Sequence, residues 1–190
     1  MTSLDLNERT GWPTNLRVLL ERYPREAWTG HENLGQTARF WLQRHDMFRD
    51  LGGALQTATA QFQEGLITAP EFQGWFVPRL QFFLTELNAH HHVEDHSYFP
   101  LFRHADARLV EGFEVLENDH EAIHDAIAKV ADAANDLLRA MRRDALQRSA
   151  DHYARVSGGL LTGLIQHLAD EEDLVIPLIL DRGEDRLGIG

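Results

Sequence analysis

Apolar residues along this chain recur at helical spacing. Leu34, Ala38, Trp41, His45, Phe48, Gly52, Leu55, Thr59 and Phe62 alternate steps of four and three, which places them on one helix face. Glu64-Gly65 to Ala69-Pro70 supplies a stop, a short loop and a proline suited to a helix start. A second helix carries Phe76, Leu80, Phe83, Leu87, His90, Glu94, Ser97 and Leu101 in the same rhythm. Pro78 predicts a kink or a separate first turn there, and Pro100 predicts an end or a kink. A third helix, from about Ala107 to Met141, aligns Phe113, Leu116, His120, His124, Ile127 and Ala131. The Arg142-Arg143 pair beyond it suits the negative end of its dipole. A fourth, from about Asp144, aligns Tyr153, Leu160, Leu164, His167, Glu171, Leu174 and Leu178, and its Gly158, Gly159 and Gly163 predict close approach to a neighbour. No stretch shows the two-residue alternation of a strand. The pattern therefore predicts an all-α fold, an antiparallel up-down-up-down four-helix bundle over residues 34–186. Residues 1–33, with Trp12-Pro13, Pro24, Gly30 and one short apolar run from Leu16 to Leu20, read as an N-terminal extension packed on it.

Each apolar stripe is interrupted at one level by polar residues. These are His45 on the first helix, His90 and Glu94 on the second, His120 and His124 on the third, and His167 and Glu171 on the fourth. A buried ionised carboxylate is costly unless it is paired or bound to a metal. One metal centre would satisfy all seven together, because i, i+4 residues point the same way. The run from His90 to His96 offers three such pairs, 90/94, 91/95 and 92/96. Only the first continues the apolar face through Leu87, Phe83, Leu80 and Phe76, which leaves His91, His92 and His96 on the flanks or in solvent.

The frame is repeated. His90-x3-Glu94-x5-Pro100 and His167-x3-Glu171-x5-Pro177 lie 77 residues apart, and His45 and His120 lie 75 apart. Two helical hairpins of similar design would build a site between them, with one glutamate from each bridging two metals.

Composition narrows the chemistry. The chain has 190 residues and no cysteine, so thiolate metal sites, cysteine nucleophiles and iron–sulfur clusters are excluded. Eleven histidines are the compositional excess. A net charge of −12 argues against nucleic acid or an anionic membrane as partner. The absence of an 18-residue apolar run or a basic-then-apolar leader predicts a cytoplasmic protein. The sequence names no protein partner.

At Arg44-His45-Asp46-x-Phe48-Arg49, His90-His91-His92-x-Glu94-Asp95, Asp119-His120-Glu121 and His167-x3-Glu171-Glu172 the chain resembles the hemerythrin-like (HHE cation-binding) family, over roughly residues 34–180. The resemblance implies two iron ions joined by an oxo or hydroxo bridge. It puts His120, His124 and His167 on one iron and His45 and His90 on the other, with Glu94 and Glu171 bridging. It further implies a cytoplasmic protein that binds or senses a small diatomic ligand, O2 or NO, or that holds iron. Imidazole and carboxylate donors also suit manganese or zinc. The family's oxygen carriers place an aspartate five residues after the last histidine, whereas Glu171 lies four after His167.

Rival readings explain less. His120-Glu121-Ala122-Ile123-His124 is a literal H-E-x-x-H zinc-protease motif, yet no sheet accompanies it and five of the buried polar residues stay unexplained. A metal-free interaction module would need all seven groups to satisfy one another. Peroxide, oxygen or nitric oxide turnover at the same centre is the enzymatic alternative. No dedicated acid–base residue is evident for it, so enzyme or binder is left open.

Overall fold

The computed structural model describes residues 3–141 and 146–190. Among them every regular element is helical: α1 (Val18–Arg22), α2 (Arg25–Trp28), α3 (Gln36–Gln63), α4 (Ala69–Val93), a π-helical turn (Glu94–Tyr98), α5 (Phe99–Ala105), a 3-10 turn (Ala107–Leu109), α6 (Val110–Ala140), α7 (Leu146–Arg182) and α8 (Glu184–Leu187). The Arg142-Arg143 pair and the expected helix start near Asp144 lie outside the described residues. None of these helices is long and apolar enough to cross a membrane.

The described residues form two compact units. One holds those up to Asp46, with His90–His120 and Ile165–Gly190; the other holds Met47–Ala89 and Glu121–Leu164. All the residues of the site described below belong to the first.

In the first unit the residues before α3 belong to the core. Trp12, Leu16, Leu19 and Trp28 are buried in one cluster with Phe102, Phe113, Leu174 and Leu178. Gly112 lets α6 and α7 close on each other: a Cβ there would lie 2.6 Å from Leu174 Cδ1. Pro100 neither ends nor simply kinks its helix. The chain widens by one residue into the π-turn, where Phe99 N donates to Glu94 O, and α5 then begins with the proline in its first turn. Pro100 has no N–H to offer the preceding turn, which removes the competing i→i−4 bond.

The second unit is built on aromatic contacts. Phe62 stacks on Phe72 and Phe72 on Phe76, both at 4.5 Å between centroids, and Tyr153 meets the edge of Phe76 at 5.2 Å. The α3–α4 loop is stapled at both ends. Gly65 takes φ +72° while Leu66 N reaches back to Gln61 O, and Thr68 and Glu71 form a reciprocal capping box. The separate first turn allowed for at Pro78 is not found, and α4 is continuous through it. Pro78 and Gly74, whose carbonyl loses its partner, both face solvent, so water can satisfy the freed group. Close approach is not found at Gly159, and a Cβ on Gly158 would meet only Gln56 Nε2, at 3.8 Å. A Cβ on Gly159 would meet nothing within 4 Å, whereas one on Gly52 would lie 2.5 Å from Leu161 Cδ1.

Candidate metal centre

Two groups of potential ligands form among the described residues of the first unit. His45 of α3, His90 of α4, Glu94 of the π-turn and Glu171 of α7 make one; His91, His120 and His167, from α4, α6 and α7, make the other. Within each group the ligand atoms all lie within 4.8 Å of one another. Six of the seven residues are almost wholly inaccessible, and His90 is nearly so.

The glutamates link the groups. Glu94 Oε1 lies 3.0 Å from His90 Nε2 while its Oε2 lies 3.6 Å from His120 Nε2. Glu171 Oε1 lies 3.4 Å from His45 Nε2 and its Oε2 lies 3.3 Å from His167 Nε2. Each carboxylate thus turns one oxygen toward each group. Neither oxygen of Glu94, nor Glu171 Oε2, nor His45 Nε2 finds a hydrogen-bond partner among the described residues. Buried polar atoms left in that state are costly, and a cation among them removes the cost.

The tautomers agree with this. His45 Nδ1 donates to Glu172 Oε1 (3.0 Å), His120 Nδ1 to Asp95 Oδ1 (2.7 Å) and His167 Nδ1 to Asp119 Oδ2 (3.3 Å). A carboxylate can only accept, so each Nδ1 carries the proton and each Nε2 lone pair faces inward. His120 Nε2 and His167 Nε2 consequently meet at 3.1 Å, a contact that needs a proton or a metal ion between them. Without metal the proton takes that place. Burial lowers His167, but Asp119 and Glu171 together raise it to about 9. Burial, aided by neighbouring histidines, pushes His90 down to about 3 and His91 well below its ordinary value, which keeps both imidazoles neutral and able to coordinate. Burial and the charge of Glu171 push Glu94 well up. Burial acts the same way on Glu171, yet His45 and His167 hold it well down.

Aromatic rings flank both groups. Trp41 donates from Nε1 to Glu171 Oε1 at 2.5 Å, and its ring centroid lies 6.3 Å from those of His45 and His90. Phe99 stacks on His120 at 5.5 Å.

Of the seven residues expected from the sequence, His45, His90, Glu94, His120, His167 and Glu171 come together here. His124 does not: it is half-buried and stands in neither group. His91, expected on the flanks or in solvent, is fully buried and takes the third place beside His120 and His167, their rings stacking at 4.1 Å. The reason is angular. From Leu87, at about 100° per residue, His90 falls about 60° to one side of the stripe and His91 about 40° to the other, so both face inward. His92 and His96 are exposed, as expected. The supporting carboxylates Asp95, Asp119 and Glu172 were also missed. Their only signal was adjacency to Glu94, His120 and Glu171.

The sequence pattern of the hemerythrin HHE cation binding domain matches residues 36–179. No curated protein and no solved structure matches the chain. The match spans most of the sequence and every residue of both ligand groups, and the chain belongs to the hemerythrin HHE cation-binding domain family.

Proposed function

We propose that the centre holds two adjacent iron ions, one per ligand group, bridged by Glu94 and Glu171, and that it binds or senses a small diatomic ligand or holds iron. The observation that carries this reading is the orientation of the two glutamates, one oxygen of each toward either group. When bound, iron supplies redox-active Lewis-acid centres to which O2 or NO can add. The chain's own residues make the two positions unequal. His91, His120 and His167 with the two carboxylates offer five donors to one ion; His45 and His90 with the same carboxylates offer four to the other. The poorer position lies beside Trp41, so the indole shapes the space a ligand would enter and excludes bulky or charged molecules. The arrangement of α3, α4, α6 and α7 as an up-down-up-down bundle over residues 34–186, with 1–33 as an extension and the cytoplasm as its location, belongs to the same proposal.

Metal analysis of the purified protein, with its visible spectrum before and after O2 or NO, tests it. About two irons per chain and a ligand-dependent spectrum are expected; a chain that takes up no metal after anaerobic reconstitution with ferrous iron rules the reading out. The register is checked by a pair of variants. His91→Ala is expected to release at least one of the two ions, whereas His92→Ala keeps both. Equal metal content in the two variants would refute the assignment of His91.

A further inference from the structure

The histidines are backed by carboxylates, and two of those carboxylates are held by arginines from the N-terminal segment. Arg9, whose side chain is fully buried, forks onto Asp119 with Nη2 at 2.5 Å from Oδ2 and Nη1 at 3.4 Å from Oδ1, while its Nε donates to Asp170 Oδ2 at 2.7 Å. Asp119 Oδ2 is the oxygen that also accepts from His167 Nδ1. Arg25 Nη1 donates to Glu172 Oε2 at 2.9 Å, and the opposite oxygen of that carboxylate accepts from His45 Nδ1. Each arginine therefore ends a relay from the segment to a different ligand group, Arg9–Asp119–His167 to one and Arg25–Glu172–His45 to the other. Both arginines precede residue 36, where the family match begins.

We propose that the N-terminal segment is a working part of the metal centre, with Arg9 and Arg25 as positioning residues that each set how firmly one of the two ions is held. The inference rests on the two-ion reading above. The physical argument is orientation. A carboxylate behind a ligating histidine fixes its tautomer and ring plane, and loosening that partner commonly weakens metal binding by about 10- to 100-fold. Asp119 and Asp170 are both buried and both bonded by Arg9, whose planar guanidinium turns separate N–H groups to each in a fixed geometry. Without Arg9 the two carboxylates repel, and Asp119 loses the brace that points it at His167. A fully buried arginine–carboxylate cluster contributes little net stability over an apolar substitute, so its positional role accounts for its presence better than fold stability does. The segment is anchored where it must be. Trp12 Nε1 donates to Asp170 O at 2.7 Å, and Arg25 Nη2 to Ala169 O at 2.8 Å, both on the stretch of α7 that carries His167 and Glu171.

The test is extraction of iron from the full-length, iron-loaded protein by excess chromogenic chelator, with thermal melting of each metal-free variant alongside. Arg9→Met and Arg25→Met are each expected to release one of the two ions about tenfold faster, and the double variant to release both. Arg9→Lys keeps the charge but not the fork, and is expected to fall between wild type and Arg9→Met. Arg22→Met, which breaks an ion pair from the same segment to Asp181 on α7, is expected to extract like wild type. If Arg9→Met does not fold, Arg9→Lys and Arg25→Met still decide the matter. Unchanged extraction in a wild type that holds two ions would overturn this inference and leave the two-ion reading standing. Equal acceleration of both ions in each single variant, tracking the loss of melting temperature, would likewise overturn it. A wild type with no metal to extract would overturn both.

Discussion

Glu94→Gln is expected to act in opposite directions on the loaded and the metal-free protein. Loaded, it should drop from two ions per chain to one or none, because an amide offers one weak oxygen where the carboxylate offers one to each group. Metal-free, it should melt higher than wild type. Glu94 is buried against the charge of Glu171, and both its oxygens lack hydrogen-bond partners among the described residues. Removing such a carboxylate is worth about 1–2 kcal/mol, or roughly 2–8 °C for a chain of this size. The effect has a pH signature. Folding raises the pKa of Glu94, so the folded state binds the extra proton and its stability falls as pH rises from the ordinary value near 4.5 toward the folded one. The advantage of the variant should therefore vanish near pH 4 and grow towards neutrality. Calorimetry of both metal-free proteins from pH 4 to 8 checks it. A metal-free variant less stable than wild type at pH 7 would mean that the protein itself, without a cation, already satisfies Glu94.

Part of that site is legible in the sequence alone. His45, His90, Glu94, His120, His167 and Glu171 each sit on an apolar stripe, and local periodicity alone reports a face. It cannot resolve two adjacent residues straddling the line of that face, which is why His90 displaced His91 in the reading. Nor does it report depth along a helix. His124 shares the stripe of His120, yet it stands in neither ligand group. The π-turn after Val93 was invisible for a related reason, since a 3.6-residue period carries no mark where one extra residue enters. Arg9 and Arg25 were hidden by distance in sequence: their partners lie 110 and 147 residues away, and nothing in a stretch of loop and short helix announces them. The helices themselves are legible because their start and stop signals are local, as in Glu64-Gly65 and Ala69-Pro70 between the first two.

The same crowding of charge makes metal the expected mainstay of stability. Stripping the loaded protein with a chelator should lower its melting temperature by at least about 10 °C. Ions bound only by the folded chain stabilise it by about 4 kcal/mol each when present at 1,000 times their Kd, and a protein of this length shifts by roughly 2–4 °C per kcal/mol. The structure explains why the metal-free state has so little to fall back on. Glu94 and Glu171 face each other in the interior, and His120 and His167 point lone pairs at one gap that a single proton must fill. Binding the ions expels that proton and turns mutual repulsion among the ligands into attraction to a common charge. The loss should also be uneven along the chain. Amide exchange should accelerate most at 90–98 and 165–173, which carry the ligands, and much less around the Phe62, Phe72, Phe76 and Tyr153 cluster, which contains none of them. Melting temperatures of the loaded and stripped forms within about 2 °C of each other would show instead that the interior ligands are balanced without an ion.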